Sequence, residues 1–358
     1  MILTKNTPTQ GPARTLQENL LLLRSADSEA RTQAFDQIRP LGKPEISSAY
    51  QQFRQFLPAP GWELDCLERM EVEVPDPPIR CERCICTVVS PGYEAMTEVM
   101  LDTLACNGQS PEARVVLFTV DDSYHTLAHR TDITRIRCRS LERLSPAVKG
   151  ALYSASRFVK AGKILTLEAD MLVVDSLQPL WALLDVVCPT VLLGSRPGQA
   201  QKRFKMLSHM TNTMKAKRSD MEFITGLVDF DSPFWFNGGV IAGAQEAFMR
   251  LDAEMRRLAP YSILWMEGGS PVAFTDEYLM NLCISLMNNS AELAGTFNQQ
   301  FYDLERDRWV QTVKPAQGSA YRQDGYPSHI LHIISTARDL MWEIKSELDE
   351  NPQPATPS

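Results

Sequence analysis

The chain has 358 residues, 44% of them hydrophobic and 22% charged, a balance that excludes a disordered polypeptide and leaves material for one large core or two modest ones. A formal charge of -8 argues against general affinity for nucleic acid or anionic lipid, because both need a concentrated basic surface. There is no run of about 18 apolar residues, and the start MILTKNTPTQGPAR lacks the basic-then-apolar pattern of a secretion signal, so the expectation is a cytoplasmic protein with no membrane span.

In chain order, residues 1–80 read as a helical N-terminal extension: LQENLLLLR and a charged continuation are halted by PAPGW and the proline-rich PDPP. Those helices are the expected surface for a homo-oligomer. CERCIC follows, with Cys81, Cys84 and Cys86. A CxxC pair could be half of a zinc site completed by Cys66 or Cys138, but no second CxxC or nearby His pair exists, so reduced thiols at a strand start are the favoured reading. From about residue 82 strand and helix candidates alternate. ICTVVS is apolar and β-branched; EAMTEVMLDTLAC then places Met96, Val99, Met100 and Thr103 on one helical face. RVVLFTV is a second strand, ending at Asp121 and Asp122.

SPAVKGALYSASRFVK has helical spacing at Val148, Ala151, Leu152, Ala155, Phe158 and Val159, and the strand KILTLE follows. TVLLG is a further short strand. Residues 195–222 interrupt this regularity with seven Lys or Arg and no acid before Asp220, either a solvated basic surface or an acceptor-facing insertion. Beyond them lie FNGGVIAG, a helix from about Ala244 to Leu258, the helix TDEYLMNLCISL, the strand HILHII, and a charged helix ending near Glu350. Residues 351–358 read as a frayed tail. Buried strands alternating with helices predict an α/β fold whose sheet is mostly parallel and covered on both faces, with ligands bound beyond the carboxyl ends of the strands.

At that edge TLEADMLVVDSL places Glu168 and Asp170 with Ala169 between them. Two carboxylates at i and i+2 on an extended segment point the same way and can share one hard cation. Such a cation would neutralise a leaving diphosphate as a Lewis acid. Asp175 reads as the cap of the helix beginning SLQPLW.

GKILTLEADMLVVDSLQPLW resembles the leucine-aspartate-x-aspartate segment of nucleotide-sugar glycosyltransferases, specifically the retaining family 8 group that includes glycogenin and bacterial galactosyltransferases. Further segments match in the same order. ICTVVSPGYEAMTEVMLDTL looks like that family's first strand and helix, FWFNGGVIAG like its donor-sugar segment, TDEYLMNL like its aspartate-glutamine segment, and SHILHIISTAR like its C-terminal metal segment. The resemblance covers roughly residues 82 to 342. It implies a Rossmann-like GT-A fold with a mixed, mostly parallel sheet in residues 81–350. It also implies a metal-dependent transferase acting from a nucleotide diphosphate sugar, UDP-linked, to a carbohydrate or other hydroxyl acceptor with retention.

Carried over residue by residue, the resemblance implies a Mn²⁺ or Mg²⁺ site at Glu168, Asp170 and His332. Donor contacts fall on Val88, Tyr93 (stacked on the base), Lys149, Ala169, Asn237 and Gly238, with Gly239 beside them. Asp276 and Glu277 fall at the donor sugar and anomeric carbon, Arg338 at the diphosphate, and Asn281 keeps the family's downstream Asn. The departures are Glu168 for Asp, Ser90 for the Asp that often ends the first strand, Glu277 for Gln, Arg338 for Lys, and no closing lysine-proline-tryptophan. Two alternatives stand beside this reading. One is a non-catalytic relative that binds nucleotide sugar. The other is a haloacid-dehalogenase-like phosphatase, whose nucleophile position Glu168 would occupy.

Overall fold

The computed structural model describes residues 70–73, 76–140, 152–195, 236–255, 289–301, 326–334 and 338–350, with scattered positions elsewhere, among them 280, 281, 283, 284 and 287. The expected extension at residues 1–80 lies largely outside the described residues, as do the tail and most of residues 195–222. Strand β1 (Met70–Val72) nevertheless pairs antiparallel with β4 (Thr134–Ser140), so the chain enters the sheet before residue 81.

The main sheet has eight strands in the order β1-β4-β3-β2-β5-β8-β7-β9. Its centre is parallel: β2 (Ile79–Val89) lies between β3 (Ala113–Val120) and β5 (Val159–Leu167), with Ile85 opposite both Val115 and Leu165. The sequence explains this placement. Each of these strands carries its charged residues near its start and a continuously buried, mostly apolar run at its end, the pattern of a strand covered on both faces. β8 (Asn237–Ala244) then runs antiparallel to β5, followed by β7 (Leu192–Ser195) and β9 (Ser290–Leu293). Reversing β8 brings its first residues beside the last residues of β5, with Leu167 opposite Val240.

Helix α1 (Glu94–Asn107) buries Met96, Val99, Met100 and Thr103 as their spacing predicts, and also Thr97, Leu101 and Leu104. A second buried stripe is needed because the helix is sandwiched. Met100, Leu101 and Leu104 join Ile85, Val89, Leu165 and Trp181 in the core against the sheet, whereas Met96 and Val99 pack with Leu340, Met341, Ile344 and Leu348. The last four belong to the C-terminal helix, Leu340–Glu350.

A second, three-stranded sheet has the order β10-β13-β6. β6 (Met171–Val173) is separated from the end of β5 by three residues, and pairs antiparallel with β13 (Ile330–Ile333), which is parallel to β10 (Gln299–Phe301). Glu168-Ala169-Asp170 is therefore one link between the two sheets, and residues 294–298, between β9 and β10, are another.

Two local expectations are corrected. Val159 begins β5 rather than closing the preceding helix, because residues 155–157 tighten into a 3₁₀ turn after Leu152 and Tyr153 and release the chain one turn early. Asp175 does not cap the next helix, α2 (Gln178–Val186); its Oδ1 accepts from the Ser176 N–H at 2.7 Å, and Ser176 Oγ accepts from Gln178 N at 3.2 Å. Among the described residues, no helix is long and apolar enough to cross a membrane.

Candidate metal and donor site

Strand β5 carries the chain out of the core and stops at Leu167, and the turn at Ala169-Asp170 redirects it into β6. The two acids converge through this turn, not through alternation along a continuous strand. Backbone bonds fix both ends: Glu168 N donates to Gly239 O at 3.2 Å, and Ile333 N donates to Asp170 O at 2.9 Å. The second bond belongs to β13, whose register sets His332 opposite Met171. His332 thus arrives over the acids from a strand some 160 residues later, counting from Asp170 to His332.

The result is a tight donor set. His332 Nε2 lies 3.3 Å from Asp170 Oδ1 and 3.6 Å from Glu168 Oε2, and one ligand atom from each residue falls within 4.8 Å of the others. His332 and Asp170 are buried and Glu168 is nearly so. Two carboxylates crowded together away from water repel one another as bare anions, and a cation between them and the imidazole removes that repulsion. Carboxylate oxygen and imidazole nitrogen are donors that divalent cations accept.

Around this set the structure packs Arg338 and Tyr93. Arg338 Nη2 is 3.6 Å from Asp170 Oδ2, and its guanidinium lies over the Tyr93 ring, 5.0 Å from the centroid. The ring expected to stack on a base therefore has a cation on one face. Tyr93 stands at the N-cap of α1, where its carbonyl accepts from Thr97 N at 2.9 Å. Ser90 is half-buried just after β2, Val88 is buried within that strand, and Ala169 is buried in the turn between the acids.

On the β8 side, both glycines are there because nothing larger fits. A Cβ at Gly239 would lie 2.1 Å from Met171 Cε and 2.8 Å from both Asn237 Oδ1 and His332 Cε1. A Cβ at Gly238 would lie 2.6 Å from Tyr153 Oη and 3.3 Å from Glu168 Oε1. Asn237 is buried and turned inward: its Oδ1 accepts from Gly239 N at 2.9 Å and from Asn298 Nδ2 at 2.9 Å. Asn298 Oδ1 in turn faces His332 Nδ1 at 3.1 Å.

Asn281 holds the entry to β8, donating from Nδ2 to Phe236 O at 2.7 Å and accepting from Phe236 N at 2.6 Å. Its position fixes backbone next to Asn237. Of the other expected site residues, Lys149, Asp276 and Glu277 lie outside the described residues. Sequence reasoning missed Asn298, which sits in TFNQQF with no local feature to mark it; only the pairing of β10 with β13 brings it to His332.

The alternative metal site in CERCIC is not assembled: among the described residues, Cys81, Cys84, Cys86 and Cys138 do not gather into a group of three side chains placed for a metal. Cys66 lies outside the described residues. Among the described residues, Glu168, Asp170 and His332 are the group of side chains placed to hold a metal.

No family model matches the chain, and no curated protein sequence is significantly similar to it. Solved glycosyltransferase structures are similar to it in three dimensions. The galactosyltransferase LgtC, crystallised with donor and acceptor sugar analogues, aligns at a TM-score of 0.47 and 15% identity over 77% of this chain and 98% of its own. The glycosyltransferase GlyE of Streptococcus pneumoniae aligns at 0.46 and 16% identity over 75% of this chain and 63% of its own. Mouse xyloside xylosyltransferase 1 aligns at 0.43 and 15% identity over 71% of this chain and 98% of its own.

Proposed function

We propose that the protein is a divalent-metal-dependent glycosyltransferase that moves a sugar from a UDP-linked donor to a hydroxyl acceptor with retention of configuration. The observation that carries this reading is the convergence of Glu168, Asp170 and His332 at the carboxyl edge of the parallel strands, with a guanidinium beside them. Ligands of open α/β sheets bind at that edge.

Glu168, Asp170 and His332 would hold Mn²⁺ or Mg²⁺. When bound, the ion neutralises charge on the diphosphate oxygens as the sugar departs. The chain's own residues supply the rest. Gly238 and Gly239 let the β8 backbone approach Glu168 and His332 closely. Arg338 offers a planar fork of donors suited to a phosphate, and moving from Asp170 to a diphosphate exchanges one anion for another at short range. The same movement uncovers the face of Tyr93 on which a base can stack. The roles of Asp276 at the sugar and Glu277 near the anomeric carbon follow from the sequence resemblance.

The test is turnover of a panel of UDP-sugars by the full chain with and without Mn²⁺. Hydrolysis or transfer should require the metal, and Asp170→Asn should lower kcat by about a hundredfold or more, since it removes an anionic ligand while preserving volume. Undiminished turnover in that variant, or with a chelator present, would refute the metal assignment.

A further inference from the structure

The hydrogen-bond polarity around Asn298 determines which nitrogen of His332 carries the proton. Gly239 N–H can only donate, so the atom of Asn237 that lies 2.9 Å from it is the amide oxygen. An oxygen can only accept, so the Asn298 atom 2.9 Å from it is the amide nitrogen. The other end of Asn298 is then its oxygen, 3.1 Å from His332 Nδ1, and the proton between them belongs to Nδ1. In a neutral ring this leaves Nε2 without a proton, at 3.3 Å from Asp170 Oδ1 and 3.6 Å from Glu168 Oε2. Asn237 is 7% exposed, Asn298 and His332 3% each, so water does not compete for these bonds.

We propose that Asn237 and Asn298 form a relay of fixed polarity from the Gly239 N–H to His332, which holds the neutral imidazole as its Nδ1–H tautomer and presents an unprotonated Nε2 to the two carboxylates. A lone pair aimed at carboxylate oxygens is unfavourable in an empty site and favourable around a cation, so the relay prepares the site for metal in advance. Asn298 is in this sense a positioning residue: it acts through His332. The relay also ties the segment read as the donor-sugar contact to the metal ligand, because the Asn237 carbonyl that a sugar hydroxyl would seek already accepts two hydrogen bonds. Its consequence for ion affinity rests on the function proposed above; the tautomer does not.

The experiment uses the full chain labelled with ¹⁵N-histidine and freed of metal, at a pH about two units above the ordinary histidine value of about 6.5. Two-bond ¹H–¹⁵N spectra report the tautomer of each ring, and the signal missing in His332→Gln is that of His332. The expected result is a protonated Nδ1; a neutral ring with its proton on Nε2 and none on Nδ1 would overturn the proposal, whatever the variants do. Asn298→Ala should shift the ring toward the Nε2–H form and weaken Mn²⁺ binding about 10–100-fold by calorimetry, the range for removing a partner of a metal-ligating His. Asn298→Asp keeps an acceptor opposite Nδ1 and should retain the wild-type tautomer. An unchanged tautomer in Asn298→Ala would overturn the relay, and should that variant not fold, the wild-type and Asn298→Asp spectra decide. Nδ1–H with no measurable Mn²⁺ binding would leave the relay standing and refute the metal-dependent function.

Discussion

Gly239 shows how closely the site is fitted. Its missing Cβ is the space taken by Met171 Cε, Asn237 Oδ1 and His332 Cε1, so Gly239→Ala must displace a strand side chain, the relay or the ligand itself. Overpacking of this kind costs about 1–3 kcal/mol. A urea titration should show a loss of that size, and Mn²⁺ binding should weaken with it; a variant as stable and as tightly binding as wild type would mean the β8 backbone gives way freely. At this scale the sequence was informative where chemistry is local. Two acids after an apolar run announced themselves, whereas His332 was distinguishable from an ordinary core histidine only through the order of neighbouring motifs. Asn298 was invisible, because its partners come from β8 and β13 and no spacing rule links them. Asp175 was misread for a similar reason: a cap depends on where the helix turns, and Ser176 lies closer to that point.

Among the elements, the parallel strands were legible from continuous apolar runs and α1 from its period. The reversed direction of β8 was not, since a strand's direction is set by its pairing and leaves no mark on its composition. β6 was equally hidden, being three residues just after the acids for which no strand was expected. Yet these two elements build the site. The loop between β12 (Tyr326–Pro327) and β13 braces it: His329 stacks on Phe297 at 4.6 Å and 12°, and its carbonyl accepts from Val174 N at 2.9 Å. Burial lowers the pKa of His329 from its ordinary 6.5, with Asp175 opposing the shift. The folded chain therefore takes up this proton less readily than the unfolded one, and below about pH 6.5 the unfolded state binds more protons, so stability falls as the pH drops through that region toward the folded pKa. Urea midpoints measured from neutral to mildly acid pH should show this loss, and His329→Gln should remove that part of it. Equal slopes for the two proteins would show that His329 titrates alike in both states.

Over the whole molecule, the net acidic composition agrees with a small ligand bound at one edge of the fold rather than a polyanion spread over its surface. The sheet concentrates function at that edge: β5, β8 and β13 arrive from different directions, and each contributes to one cluster. A parallel centre buries the strand ends, an antiparallel β8 brings glycines beside them, and the small second sheet delivers the histidine. The proposed role of this convergence is to hold a divalent ion against a nucleotide diphosphate. It is tested by the anomalous signal of Mn²⁺ in crystals of the full chain grown with Mn²⁺ and UDP. One strong peak bonded to Glu168, Asp170 and His332 is expected, with diphosphate oxygens completing its shell and Arg338 moved from Tyr93 onto the phosphate. UDP bound with no peak at these three residues, or Mn²⁺ held elsewhere, would contradict that role.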